Sequence, residues 1–169
     1  EWSGKDSVPD ERFWIIELLR NCTFSKATKS DLTRWKKVDV TIRSDSRRGR
    51  RYVMKRTAPT AVINWTCHST WEMSMRLRLE NVIVDGGTVW TNPIDPMADE
   101  AANLASTGVD AGTLITVSQS RGVEFGSDCV IRNAKGSSGT SVISLAASPD
   151  KQCRFVEGSR VTGIRGAGS

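Results

Sequence analysis

Between Met73 and Leu79 every second residue is apolar: Met73, Met75, Leu77 and Leu79 alternate with Ser74, Arg76 and Arg78. That is the period of a strand with one buried face and one wet face. Glu80-Asn81 interrupts the run, Val82-Ile83-Val84 resumes it, and Asp85-Gly86-Gly87 closes it with residues that tolerate turns and positive φ. A strand, a two-residue corner and a second strand, with no long polar loop between them, point to a chain that winds in coils.

The same plan recurs. Ala61-Val-Ile-Asn-Trp65, Thr113-Leu-Ile-Thr-Val117 and Ser141-Val-Ile-Ser-Leu145 share a pattern of small, aliphatic, Ile, polar or small, and large apolar residues. A second short strand follows each, at 75–79, 123–125 and 153–155, and a third at 82–84, 129–132 and 161–164. Glycine closes these segments at Gly86, Gly136 and Gly166. Repeats of about 20–30 residues fit one turn of a parallel solenoid, with strands stacked about 4.8 Å apart over an apolar interior. Upstream, 38–43 and 52–56 read as strands on either side of a polar turn. The competing architecture is an antiparallel sandwich. The triplet grouping and the lack of two-residue hairpin loops between matched strands argue against it.

The predicted fold class is therefore all-β, a right-handed parallel β-helix with a short N-terminal capping helix. Residues 1–9 read as a flexible leader and 10–21 as the capping helix. Residues 22–169 read as coils, with a loop insertion at about 88–110 that holds a short helix over 97–105. In the capping helix Asp10 would be the N-cap, Arg20 would suit the C-terminal end, and Phe13, Ile16 and Leu19 would share the apolar face. Placed over the first coil, that helix predicts a cost of several kcal/mol for Asp at Ile16 or Leu19.

In this register the chain resembles the right-handed parallel β-helix segments of bacterial cell-surface adhesin-like proteins, within the pectate lyase-like superfold. The residues that carry the resemblance are Leu77-Arg-Leu-Glu-Asn-Val-Ile-Val-Asp-Gly86, Gly112-Thr-Leu-Ile-Thr-Val117 and Tyr52-Val-Met-Lys-Arg56, and it covers about 38–164. It implies a stalk and adhesin at the extracellular cell surface, anchored to the cell wall through a region outside this chain. It also implies further β-helix coils in the parent chain, with this stretch as an N-terminal segment truncated at its C-terminus. The implied partner is a host or cell-wall glycan, or a surface protein. The same superfold includes carbohydrate-active enzymes, so a pectate lyase-like or glycosidase-like domain with Asp85 near the site is the alternative. Fold alone does not choose between them.

The residues favour the non-enzymatic reading. Glycosidase chemistry needs two carboxylates about 5–10 Å apart in one cleft. Asp85, Asp95 and Asp99 are the candidates, with the insertion folding back over the strand that Asp85 ends. The single histidine, His68, adjoins Cys67, but neighbours on a strand face opposite ways. The four cysteines, Cys22, Cys67, Cys129 and Cys153, are too far apart in sequence for a zinc or redox C-x-x-C motif, and buried thiols are favoured over disulfides. No metal or cofactor is expected.

Binding would fall to exposed aromatic and basic residues: Trp71 and Trp90 as sugar-stacking faces, with Arg76 and Arg78 on the wet strand face. The net charge is +5, and twelve of the 24 basic residues stand between Lys26 and Arg56, against Asp31, Asp39 and Asp45. A solvated face is the simpler reading of that run. The sharper one is an anionic polymer held by Arg47, Arg48, Arg50 and Arg51. Nothing resembles a nucleic-acid-reading signature. No apolar run is long enough to span a bilayer.

Overall fold

The computed structural model describes residues 12–26, 29–31, 38–45, 47, 49–66, 76–110, 112–118, 122–137, 141–146 and 152–166. In chain order the strands are β1 (Arg12–Leu18), β2 (Cys22–Phe24), β3 (Lys29–Asp31), β4 (Val38–Ser44), β5 (Tyr52–Arg56), β6 (Ile63–Thr66), β7 (Arg76–Glu80) and β8 (Val82–Asp85). Then come β9 (Thr88–Trp90), the one-turn helix α1 (Glu100–Asn103) and β10 (Ser106–Gly108). The chain continues through β11 (Ile115–Ser118), β12 (Gly122–Phe125), β13 (Val130–Lys135), β14 (Ile143–Ala146), β15 (Gln152–Phe155) and β16 (Arg160–Arg165).

The protein is all-β, and its larger sheets are parallel. The first sheet has the order β1-β4-β7-β12-β15, the second β2-β5-β8-β13-β16 and the third β3-β6-β11-β14. Apart from β9 and β10, the chain visits the first, second and third sheets in that order, again and again. Every pairing within them is parallel. This rules out the antiparallel sandwich. The three sequence segments with a central Ile lie side by side in the third sheet, Ile63 against Ile115 and Ile115 against Ile143.

Register turns the alternation into columns. Val40, Leu77 and Val123 align across the first sheet, as do Ile42, Leu79 and Phe125. Met54 and Val84 align in the second sheet, and Trp65 and Val117 in the third. All belong to one buried cluster to which each of the three sheets contributes. Leu77, Leu79 and Phe125 have no exposed surface, and burying such a side chain contributes about 1.5–3 kcal/mol. At the corner between β7 and β8, Asn81 adopts φ +47°; Asp128 does so at +58° between β12 and β13, and Gly158 at +86° between β15 and β16. These residue types take the left-handed conformation at least cost.

The capping helix expected over 10–21 is corrected by the structure. Residues 12–18 are β1, paired with β4 along its whole length, from Arg12–Val38 to Leu18–Ser44. Trp14, Ile16 and Leu18 alternate as well as they follow a helical stripe, and Phe-Trp-Ile-Ile prefers an extended chain. Ile16 and Leu19 are 45% and 56% exposed, so an Asp there would cost far less than a core position demands. Asp10, the expected N-cap, lies outside the described residues.

The segment at 88–110 departs from the three sheets. β9 and β10 pair antiparallel, with Trp90 opposite Ser106 and Thr88 opposite Gly108. Between them α1 is capped by Asp99, whose carboxylate accepts the Ala102 N–H at 2.7 Å. The helix expected over 97–105 is present only as this turn.

Candidate functional site

Three groups of side chains bear on function: the outer face of the first sheet, the polar ground beneath the insertion, and the neck where the insertion leaves and rejoins the strands.

Arg76, Arg78 and Glu80 sit on the wet face of β7. Register places Glu124 opposite Arg78 and Arg154 opposite Glu124, while Arg43 lies between Glu17 and Glu80. Arg78 Nε is 2.7 Å from Glu80 Oε1 and 3.2 Å from Glu124 Oε1, and Arg154 Nη1 is 3.8 Å from Glu124 Oε2. Arg43 donates to Glu17 at 2.7 Å. Signs alternate from strand to strand, as stacked charges must if they are not to repel. Beside this ladder lies a shallow groove lined by Arg76, Gly122, Val123, Glu124, Gln152 and Arg154. Gly122 has φ +129°, and a Cβ there would run into the Gln152 carbonyl.

Asp85 ends β8 on the outer face of the second sheet but is only 3% exposed. Its carboxylate accepts from Gly87 N at 2.8 Å, Arg132 Nε at 2.7 Å and Asn133 Nδ2 at 3.2 Å. Asp95 accepts the Met97 N–H at 2.9 Å and its backbone is bracketed by the Asn103 side chain. The structure therefore does not bring Asp85 together with Asp95 or Asp99 through any shared hydrogen-bond partner among the described residues. Each carboxylate secures its own turn. Among the described residues no group of three His, Cys, Asp or Glu is placed to hold a metal ion.

Trp90 does not present a free ring. Its indole N–H donates to Gly163 O at 2.8 Å, and the Arg165 guanidinium lies 4.5 Å over the ring centroid. Arg165 Nη1 also donates to Asn103 O at 2.8 Å. Together they fasten the insertion to β16. Trp71 and Arg48 lie outside the described residues, as do Cys67 and His68.

Folding supplies several of the basic residues with partners. Arg47 Nε pairs with Asp45 at 3.0 Å; that hydrogen bond, the charge of Asp45 and the charge of Glu17 all push the Arg47 pKa up. Arg51 meets Asp128 at 3.3 Å. Arg50 is exposed.

Arg56 is the residue that sequence reading missed. It is fully buried, and burial lowers its pKa. Its Nε donates to Gly86 O at 2.6 Å, Nη1 to Gly112 O at 3.0 Å and Thr113 O at 3.5 Å, and Nη2 to Asp110 O at 3.3 Å. These carbonyls stand on both sides of the neck of the insertion. Gly87 passes so close that a Cβ would strike the Arg56 carbonyl. Phase was the available signal: Tyr52, Met54 and Arg56 share one side of β5, and the first two are core types.

Cys22, Cys129 and Cys153 are free thiols; Cys129 is buried and Cys153 exposed. Burial pushes the Cys129 pKa up to about 12. No family model matches the chain, nor does any curated protein or solved structure.

Proposed function

We propose that the chain is a segment of a right-handed parallel β-helix belonging to a large bacterial cell-surface protein. In this reading it acts as a non-enzymatic stalk and adhesin that presents its side faces and insertion to a glycan or a surface protein. The observation that carries the reading is the cyclic visit to three parallel sheets with like residues in columns. Each return to a sheet is a parallel crossover, and such crossovers are right-handed in nearly all proteins. Stacked coils give a stiff rod whose length grows by repetition, and further coils of a parent chain would extend it.

The non-enzymatic part is supported by the work the carboxylates already do. Asp85 is tied to three donors, and Asp99 caps α1. For ligand contact the groove between Arg76 and Arg154 is the better placed surface, since guanidinium forks suit carboxylates and the hydroxyls of sugars. Exposed Arg50 is a second contact.

The test is a glycan array that includes uronate polymers, run beside incubation with polygalacturonate and ultraviolet detection of unsaturated product. Binding without turnover, weakened by Arg76→Ala and Arg154→Ala, is the expected result. Turnover abolished by Asp85→Ala would replace the adhesin reading with the enzymatic one. Binding to no glycan and no surface protein would leave a bare stalk.

A further inference from the structure

Charges on the outer face of the first sheet alternate in sign from strand to strand, and one column breaks the rule. Arg78, Glu124 and Arg154 follow it across β7, β12 and β15. Two residues earlier the neighbouring column begins in the same way, where the Asp39 carboxylate on β4 accepts the Arg76 N–H at 2.9 Å. A carboxylate on β12 would come next. The residue opposite Arg76 is instead Gly122, with Gln152 beyond it. No side chain fits at that point, because Gly122 has φ +129° and a Cβ would run into the Gln152 carbonyl. The gap is built into the backbone, and the shallow groove lies over it.

The walls of this gap carry cations that the protein does not fully match. Among the described residues no carboxylate oxygen pairs with the Arg76 guanidinium. Arg154 reaches Glu124 at 3.8 Å, and Arg78 holds that same carboxylate closer, at 3.2 Å. The Arg154 side chain is 71% exposed.

We infer that the groove is a subsite for one carboxylate of an acidic sugar, seated over Gly122 between Arg76 and Arg154. A ligand carboxylate there supplies the negative charge missing from the column, and the guanidinium forks match its two oxygens. Hydroxyls on the neighbouring carbons of a sugar acid donate to Glu124 and exchange hydrogen bonds with the Gln152 amide. Glu124 also sets the limit of the site. Its charge stands in the same wall and repels a dianion, so a carboxylate is taken in preference to a phosphate. The inference rests on the adhesin reading for its sugar, and narrows that reading to glycans that carry a carboxylate.

Isothermal titration calorimetry tests it with a glucuronate trisaccharide, its methyl ester, and the glucose trisaccharide phosphorylated at each C6. The acid should bind at least about tenfold more tightly than the ester or the phosphate. Gln152→Glu sets a carboxylate of the protein beside Arg76 and should abolish binding of the acid. Its circular dichroism spectrum should not change, because Gln152 is exposed. Glu124→Gln should narrow the difference between acid and phosphate. If that variant loses its fold, Gln152→Lys serves, and should raise the affinity for the phosphate more than that for the acid. Equal binding of acid and ester, untouched by Gln152→Glu, would overturn the subsite and leave the adhesin reading standing. Binding of no glycan, neutral or acidic, would overturn both. A hexaglutamate peptide that binds as tightly as the acid and displaces it would overturn the sugar assignment and put an acidic protein segment in the groove.

Discussion

Arg56 Nε donates to Gly86 O at 2.6 Å from a side chain with no exposed surface. The same guanidinium donates to Asp110 O and Gly112 O, so one residue of β5 binds the chain where it departs for the insertion and where it returns. Arg56→Ala would take the donor from the buried Gly86 carbonyl and remove the part-buried bonds to Asp110 O and Gly112 O. A loss of about 3 kcal/mol is expected. Arg56→Lys should recover only part of it, since an ammonium cannot span the same fork. Urea denaturation of the two variants provides the measurement. Equal stability of Arg56→Lys and the unaltered chain would mean that the fork is not what holds the neck.

Trp90 and Arg165 join the insertion to β16 by an indole hydrogen bond and a cation–π contact. Trp90→Ala removes both, at an expected cost of about 1–2 kcal/mol. The effect should be local: cleavage by a protease within 92–98 should accelerate, while the core strands β7 and β12 keep their hydrogen-exchange protection. Uniform loss of protection would show that the insertion is integral to the stack.

The strands of the core were legible because their neighbours are chemically unlike their faces. Leu77 and Leu79 alternate with arginines, and the Ile of β6, β11 and β14 recurs with flanks of the same type. Phe13-Trp-Ile-Ile16 is apolar on both faces, so periods of 2 and 3.6 fit it equally, and only the pairing with Val38–Ser44 decides between them. Arg56 was obscured by composition, since an arginine closing a basic run reads as solvated. The Trp90 contact spans 73 residues of sequence, a separation across which spacing carries no signal.

Asp85 invites a substitution that separates shape from charge. Asp85→Asn keeps the outline and can still accept from Gly87 N. Its amide nitrogen, however, would then face both Arg132 Nε and Asn133 Nδ2, donor against donor. We therefore expect Asp85→Asn to lose most of the stability that Asp85→Ala loses, about 2–3 kcal/mol. Thermal melting of both variants checks this. An unaffected Asp85→Asn would mean that the carboxylate is free for another role.

Cys129 should behave as a core residue in both reactivity and pH dependence. With its pKa raised by burial from 9.0 to about 12, it carries almost no thiolate near neutral pH and should resist alkylation until the protein unfolds. Cys153 is exposed and should label in the folded state, as read by mass spectrometry of the digested chain. The linkage has a definite sign. Below about pH 9 both folded and unfolded chains hold the proton, and the thiol's contribution is intact. Between 9.0 and about 12 the unfolded chain releases it first, so stability should fall by about 1.4 kcal/mol per pH unit from this group. Cys129→Ser removes the titration in that range and creates a buried hydroxyl, whereas Cys129→Ala removes it with only a small cavity. The Ala variant should show a shallower fall between pH 9 and 11 than the unaltered chain. Parallel pH profiles for the two would place the alkaline loss on other groups.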